Sequence, residues 1–166
     1  MKALSREREW LKVADEVFLV MAALHRDHPD AEDFSTKEFM DHAAKLNLNG
    51  RLRPGVQIHF RMHCVANIEP NPGDYRMLFA TERGKRRLLK RSDPVNPKRM
   101  GKIFPDLKDI DPKNFDLVIW ARERYEASAK RRGFLEELLA LRGSGRDLWA
   151  DEHADEYVAR LRSDWE

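Results

Sequence analysis

Cationic and amide side chains are concentrated in the middle of the chain. Residues 51–102 contain 13 lysines and arginines against 4 acidic residues, a net charge of +9, whereas the whole chain carries +2. Arginine and glutamine can form paired hydrogen bonds with base edges, and each cation beside a phosphate releases a counterion. We therefore expect double-stranded DNA as a partner of this region. The side chains with the appropriate chemistry are Arg51, Arg53, Gln57, Arg61, Arg83, Lys85, Arg86 and Arg87.

Three predicted helices and a hairpin must position these side chains. Apolar residues at helical spacing predict a first helix over residues 5–28. Ser35 and Glu38 have the spacing of a capping box at the start of a second helix. A third helix is predicted from Pro54, a favourable first-turn residue. Two strand-like segments around an Arg-Gly turn, YRMLFA and RRLLKR, predict a β-hairpin. The predicted inward face of the third helix consists of Ile58, Met62 and Val65.

This order of elements predicts a mainly α-helical α+β fold, a winged helix-turn-helix with the hairpin as its wing. In that architecture the third helix enters the major groove and the wing lies along the phosphates. We expect this DNA-binding domain over residues 1–91 and a proline-rich connector over 92–113. A helical extension follows over 114–142, which Gly133 is expected to interrupt. Residues 143–166 are expected to form a flexible acidic tail with a short helix.

A family resemblance agrees with this expectation. The segments FSTKEFMDHAAKLN, RPGVQIHFRMHCVAN and YRMLFATERGKRRLLKRSDP resemble an uncharacterised bacterial winged-helix family. Its members occur alone or attached to restriction-type and other defence proteins. The similarity covers residues 5–125, with the shared features at Phe34-Ser35, His63-Cys64 and Arg83 to Leu88. It implies a DNA-binding role.

The last segment, GSGRDLWADEHADEYVARLRSDWE, combines 7 acidic residues and 3 basic residues with several large apolar side chains. These side chains are costly to expose, so two arrangements are possible. In one they pack on the chain's own domain or on a second copy, and in the other they anchor a partner. The segment resembles the toxin-neutralising tails of VapB-type antitoxins, which pair with PIN-domain ribonucleases. In that family an arginine of the tail can lie against the metal-binding acidic residues of the toxin. The resemblance implies that Arg160 or Arg162 has this role here. The partner-binding residues that this predicts are Leu148, Trp149, Tyr157, Arg160, Leu161, Arg162 and Trp165.

Catalytic and metal chemistry are not expected from this sequence. His59, His63 and the adjacent Cys64 lack a second pair of ligands. The aspartate-rich loop at residues 106–111 lacks the glycine and the terminal glutamate of a calcium loop. The chain also contains no phosphate-binding glycine loop. We therefore expect no enzyme, no metal and no cofactor, and a metal-dependent nuclease is the least favoured hypothesis.

The sequence also predicts a cytoplasmic protein. It contains no apolar run of about 18 residues, as a membrane-spanning helix requires, and MKALSREREWLKVADE lacks the apolar stretch of a signal peptide. The leading hypothesis is a DNA-binding antitoxin that regulates its own operon and neutralises a PIN-type ribonuclease. The alternative is a stand-alone DNA-binding regulator or defence accessory whose tail is structural or closes a homodimer.

Overall fold

A computed structural model describes residues 11–142, with the side chains of 130–136 and 140 excepted. The chain divides into two compact units, Met1–Ala129 and Lys130–Glu166. The described residues form an α+β structure with four main helices and a three-stranded antiparallel sheet. Within the described residues, no helix has the length and the apolar character needed to cross a membrane.

The first helix, α1 (Val13–Asp27), is almost completely surrounded by the rest of the first unit. All its residues from Ala14 to His25 are buried. A helix that is buried around its whole circumference is stabilised mainly by packing rather than by helix propensity. The described part of the predicted first helix is thus confirmed.

Two acidic residues in the first turn of α1 are buried together with the apolar ones. The Lys102 ammonium lies 2.8 Å from the Asp15 carboxylate, and burial raises the pKa of Asp15 while Lys102 opposes that change. The Arg53 guanidinium binds the Glu16 carboxylate. These partners lie in other segments of the chain, so the buried acids tie those segments to the start of α1.

Strand β1 (Phe34–Ser35) leads directly into helix α2 (Thr36–Leu46). The Glu38 backbone N–H donates to the Ser35 hydroxyl at 3.3 Å, and the Ser35 N–H donates to the Glu38 carboxylate at 2.8 Å. The predicted capping box is therefore confirmed. After Leu46 the helix ends at Asn47, which adopts the left-handed conformation with φ 45°.

Strands β2 (Leu78–Ala80) and β3 (Lys85–Leu88) form an antiparallel hairpin, as predicted. Gly84 in its turn has φ +80°, a conformation that favours glycine. Strand β3 also pairs with β1, so the sheet order is β1-β3-β2 with β3 in the centre. The chain therefore follows the order helix, strand, two helices and hairpin.

Residues 54–63 form the third helix, which consists of α3 (Pro54–Ile58) and one π-helical turn (His59–His63). Val56 and Phe60 are its fully buried side chains. The Phe60 ring stacks on Phe39 of α2 with 4.1 Å between the ring centroids.

The π-turn changes which side chains of this segment face inward. A step of four residues overshoots one turn of an α-helix by about 40°, and the wider π-turn compensates for part of this rotation. Val56, Phe60 and Cys64, which are spaced four apart, therefore all lie in the core. The predicted inward face is wrong for Ile58, which is 40% exposed. The helix was also expected to run through VQIHFRMHCVAN, but it ends at His63, so the buried Val65 lies beyond it and forms a β-bridge with Leu78.

The connector (residues 92–113) is largely irregular, with short 3₁₀ turns at Leu107–Asp109 and Pro112–Asn114. It nevertheless contributes a buried side chain, since Arg99 is only 2% exposed. Its guanidinium satisfies the last carbonyl groups of the third helix, which have no partner within the helix, together with three further carbonyls. The acceptors, at 2.7 to 3.3 Å, are the carbonyl oxygens of Met62, His63, Ile68, Glu69 and Tyr75.

The last described helix, α4 (Phe115–Ala140), begins with an apolar side, on which Leu117, Val118 and Ala121 are buried. Its backbone continues through Gly133, so the predicted interruption there is wrong. Glycine within a helix costs about 1 kcal/mol relative to alanine, which the 26-residue helix tolerates.

His25 links α1 to the hairpin. It is 1% exposed, and the Leu88 backbone N–H donates to its Nε2 atom at 3.2 Å. Burial, followed by the positive charges of Arg124, Arg87 and Lys90, lowers the pKa of His25 to about 4. The neutral imidazole is therefore the form that accepts the hydrogen bond from strand β3.

We predict that Arg99→Met lowers the free energy of unfolding by at least about 3 kcal/mol, because it leaves several buried carbonyls without a donor. The free energy of unfolding of Arg99→Lys should lie between those of the wild type and Arg99→Met, since an ammonium has three donors and a guanidinium five. Denaturant unfolding measures both. The matched control is Lys98→Met, which removes a neighbouring, well-exposed cation paired with Glu69 and should leave the unfolding midpoint almost unchanged. Equal effects of Arg99→Met and Lys98→Met would contradict the structural role of Arg99.

We also predict that the protein loses stability as the pH falls from 6.5 towards 4. The unfolded chain binds a proton at His25 in this range and the folded protein does not, so the titration of His25 lowers the free energy of unfolding by about 3 kcal/mol between pH 6.5 and pH 4. His25→Gln should flatten this part of the curve of unfolding free energy against pH, whereas His28→Gln, at an exposed position, should keep the wild-type slope. An unchanged slope in His25→Gln would refute the assignment.

Candidate nucleic-acid interface

The structure divides the cations of residues 51–102 by their partners. One group forms ion pairs with carboxylates and consists of Arg53, Lys85, Arg87, Arg91, Lys98 and Lys102. Among the described residues, a second group has no carboxylate partner, and it includes four of the predicted DNA-binding residues, Arg51, Arg61, Arg83 and Arg86. The net positive charge of this region therefore comes mainly from the side chains of this second group.

Two predicted DNA-binding arginines hold the fold together instead. Arg53 is bound to the buried Glu16, whose carboxylate also accepts from the Asn49 side chain at 2.8 Å. Arg87 forms two hydrogen bonds with Asp93, at 2.6 and 2.7 Å, and its guanidinium lies 4.5 Å from the centre of the Phe79 ring. Both guanidiniums are bound to carboxylates within the fold, so neither belongs to the candidate interface.

The alternation of side chains along β3 explains this division. Successive residues of a strand point to opposite faces of the sheet, so Lys85 and Arg87 share one face and Arg86 the other. Lys85 lies 3.6 Å from the Asp33 carboxylate and 3.4 Å from the Glu82 carboxylate, and these acids raise its pKa. Lys85 is thus a partly neutralised cation at the edge of the candidate interface.

Arg86 and Arg61 bring the hairpin and the third helix together. The Arg86 Nη2 atom donates to the Arg61 carbonyl at 3.1 Å, and its Nη1 atom donates to the Lys85 carbonyl at 2.7 Å. Burial, followed by the neighbouring Arg61 charge, lowers the pKa of the Arg86 guanidinium. The guanidinium of Arg86 is therefore held against the backbone of the third helix at Arg61, and neither arginine has a carboxylate partner among the described residues.

The other predicted residues are exposed around this pair of elements. Gln57 lies on the outer side of the third helix, four residues before Arg61. Arg51 precedes this helix, and Arg83 stands at the hairpin turn beside Gly84. The Thr36 hydroxyl donates to the Gly84 carbonyl at 3.3 Å, which fixes the turn against the start of α2. Among the described contacts, none joins Arg51 or Arg83 to the Arg61–Arg86 pair.

Ile58 is a residue of this surface that the sequence analysis placed in the core. It is exposed beside Gln57, while Val56 and Phe60 occupy the buried side of the same helix. In the sequence, the four-residue spacing of Val56, Phe60 and Cys64 is the signal that identifies the buried side of this helix. A regular 3.6-residue period does not reveal it, because the π-turn interrupts that period.

The histidines of this segment pack against aromatic neighbours. The His59 Nδ1–H donates a hydrogen bond to the Gly55 carbonyl at 2.8 Å. Its ring lies edge-on to His63, 4.7 Å away, and 6.5 Å from Tyr75. Cys64 is buried, and burial raises the pKa of its thiol. Among the side chains that the structure describes, no group of three or more potential ligands is arranged to hold a metal ion.

The aspartates of residues 106–111 are engaged separately. Asp109 lies 2.6 Å from the Lys12 ammonium, and Asp106 lies 3.8 Å from that of Lys102. Asp111 accepts a hydrogen bond from the Lys113 backbone N–H at 3.1 Å. Each of these carboxylates is therefore near a lysine, although Asp106 shares Lys102 with Asp15. Hydrogen bonding lowers the pKa of both Asp109 and Asp111.

Comparison of the chain with protein-family models, with curated proteins and with solved structures finds no significant match. The functional assignment therefore rests on the side chains of the molecule and on the elements that position them.

Proposed function

We propose that the protein binds double-stranded DNA as a winged helix-turn-helix protein. In this proposal the third helix enters the major groove, and the hairpin is the wing that follows the phosphates. The order helix, strand, two helices and hairpin, with β3 central in the sheet, supports this architecture. The observation that carries the proposal is the hydrogen bond from the Arg86 guanidinium to the Arg61 backbone carbonyl, which holds the hairpin arginine against the third helix. Neither arginine has a carboxylate partner among the described residues.

The electrostatics of this pair favour an anion. Two like charges held close together repel each other, and partial burial makes their charged state more costly. A phosphate beside the pair relieves the repulsion and forms charge-assisted hydrogen bonds with both guanidiniums. The Arg86 Nη1 and Nη2 atoms are already held by backbone carbonyls, so little side-chain freedom is lost on binding.

Individual roles follow from the position of each side chain. Gln57 and Arg61, on the outer side of the third helix, are assigned to base edges, with which their side chains can form paired hydrogen bonds. Arg51, Arg83 and Arg86 are assigned to phosphates. Such interactions fix the orientation of a protein on the duplex without selecting a sequence.

The test is to measure duplex binding by variants at increasing salt. Arg61→Ala should lower affinity for a preferred sequence by about 1–3 kcal/mol and weaken the preference, whereas Arg86→Ala should weaken binding to all sequences alike. Removal of one phosphate-binding side chain should reduce the slope of log affinity against log salt by about 0.9. The control is Arg91→Ala, at an exposed arginine that is paired with Glu126. A binding curve that neither Arg61→Ala nor Arg86→Ala changes would refute this interface.

We further propose that residues 143–166 neutralise a PIN-type ribonuclease encoded beside this protein. This part of the proposal rests on the sequence resemblance to VapB-type tails. All the predicted partner-binding residues, from Leu148 to Trp165, lie outside the described residues. The alternative, a stand-alone regulator with a structural or dimerising tail, places the same apolar side chains against the chain's own domain or a second copy.

Removal of residues 146–166 distinguishes the two possibilities. If the tail binds a toxin, the shortened protein should keep its melting temperature, its mass in solution and its DNA affinity, and it should no longer inhibit the ribonuclease. Trp149→Ala and Trp165→Ala should each weaken inhibition by about 2 kcal/mol or more, as anchors of an interface do. A lower melting temperature or a changed mass in the shortened protein would support the structural alternative instead.

A further inference from the structure

The third helix exposes an aliphatic side chain among polar ones. Ile58 is 40% exposed, and it lies at the junction of the α-helical part and the π-turn. Gln57 precedes it directly, and Arg61 follows three residues later. Residues three or four apart are neighbours on a helix surface, so these three side chains form one outer face opposite Val56 and Phe60.

An exposed isoleucine alone carries no functional meaning, because isolated apolar side chains are common on protein surfaces. Ile119, for example, is 47% exposed on α4. Ile58 differs in its surroundings, because it lies within one helical turn of Arg61, whose backbone carbonyl accepts a hydrogen bond from Arg86. No carboxylate among the described residues pairs with either arginine. An apolar group next to uncompensated cations is complementary to a surface that combines methyl groups with negative charge.

The major groove of DNA is such a surface. Thymine presents its C5-methyl group there, beside the hydrogen-bonding edges of the bases and between the phosphate strands. We infer that Ile58 is a specificity-determining residue that recognises thymine by packing against this methyl group. This inference rests on the proposed function and assigns a base preference to it. Gln57 and Arg61 then bind the edges of neighbouring bases, and glutamine is suited to the adenine of an adjacent A·T pair.

A protein partner fits this face less well. The core of a protein interface is depleted of charged residues, whereas Arg61 lies within one turn of Ile58, and the Arg86 guanidinium is bound to the Arg61 backbone carbonyl. Burying these cations against a protein requires acidic partners for both. Duplex DNA supplies the negative charge and the methyl group together.

The experiment starts from a random-sequence duplex library, from which the full-length protein selects its preferred DNA. Each thymine of the selected duplex is then replaced in turn by deoxyuridine, which differs only by the absence of the methyl group. We expect one or two positions at which this replacement weakens binding by about fourfold, the value of one buried methyl group. Ile58→Ala should bind the thymine duplex correspondingly less tightly and should no longer distinguish thymine from deoxyuridine there.

Ile119→Ala is the matched control, because it truncates the same kind of side chain at similar exposure on a different helix. It should distinguish the two duplexes as the wild type does, and thermal melts should show that both variants fold. Discrimination that persists unchanged in Ile58→Ala, or a selected duplex in which no thymine responds, would overturn the role of Ile58 while leaving DNA binding intact. Failure of the library to yield any enriched duplex would overturn sequence recognition and the role of Ile58 with it, whereas the absence of binding to any duplex at low salt would overturn DNA binding itself.

Discussion

The third helix is held at its two ends by buried charged side chains, and the arrangement of the candidate interface depends on this constraint. A segment of ten residues is too short to be a stable helix in water by itself. At its start, Arg53 is bound to the buried Glu16 of α1. At its end, Arg99 donates to the carbonyls of Met62 and His63 at 2.8 and 2.9 Å. Between these points, the stack of Phe60 on Phe39 fixes the rotation of the helix about its axis.

The same constraint explains how one basic region serves two purposes. The core contains Asp15 and Glu16 in a helix that is otherwise apolar, and each takes a cation from another segment. Asp93 does the same for Arg87 on one face of β3. The cations without a carboxylate partner among the described residues include Arg61 on the outer side of the third helix, and Arg83 and Arg86 of the hairpin. The high number of cations in this region therefore reflects the pairing of buried carboxylates as much as the binding of a polyanionic partner.

Much of the architecture could be predicted from local sequence signals. Ser35 and Glu38 form the expected capping box, and the Arg-Gly turn closes the expected hairpin, because each depends on interactions between residues close in the chain. Two features could not be predicted in this way. The π-turn shifts the helical period, so a regular count places Ile58 inside. The partners of Arg53 and Arg99 are distant in sequence, so composition alone could not tell a structural arginine from a surface one. Glycine is only a weak helix breaker, and for that reason Gly133 did not end α4.

The burial of Cys64 has a practical consequence for work with this protein. It is the only cysteine in the sequence, its side chain is inaccessible, and the thiolate, which is the reactive form, is disfavoured there. A second cysteine placed at an exposed position such as Arg83, in the hairpin turn, would therefore be alkylated selectively by maleimide dyes. Fluorophores for distance measurements can thus be attached without first replacing the native thiol, which belongs to the hydrophobic core.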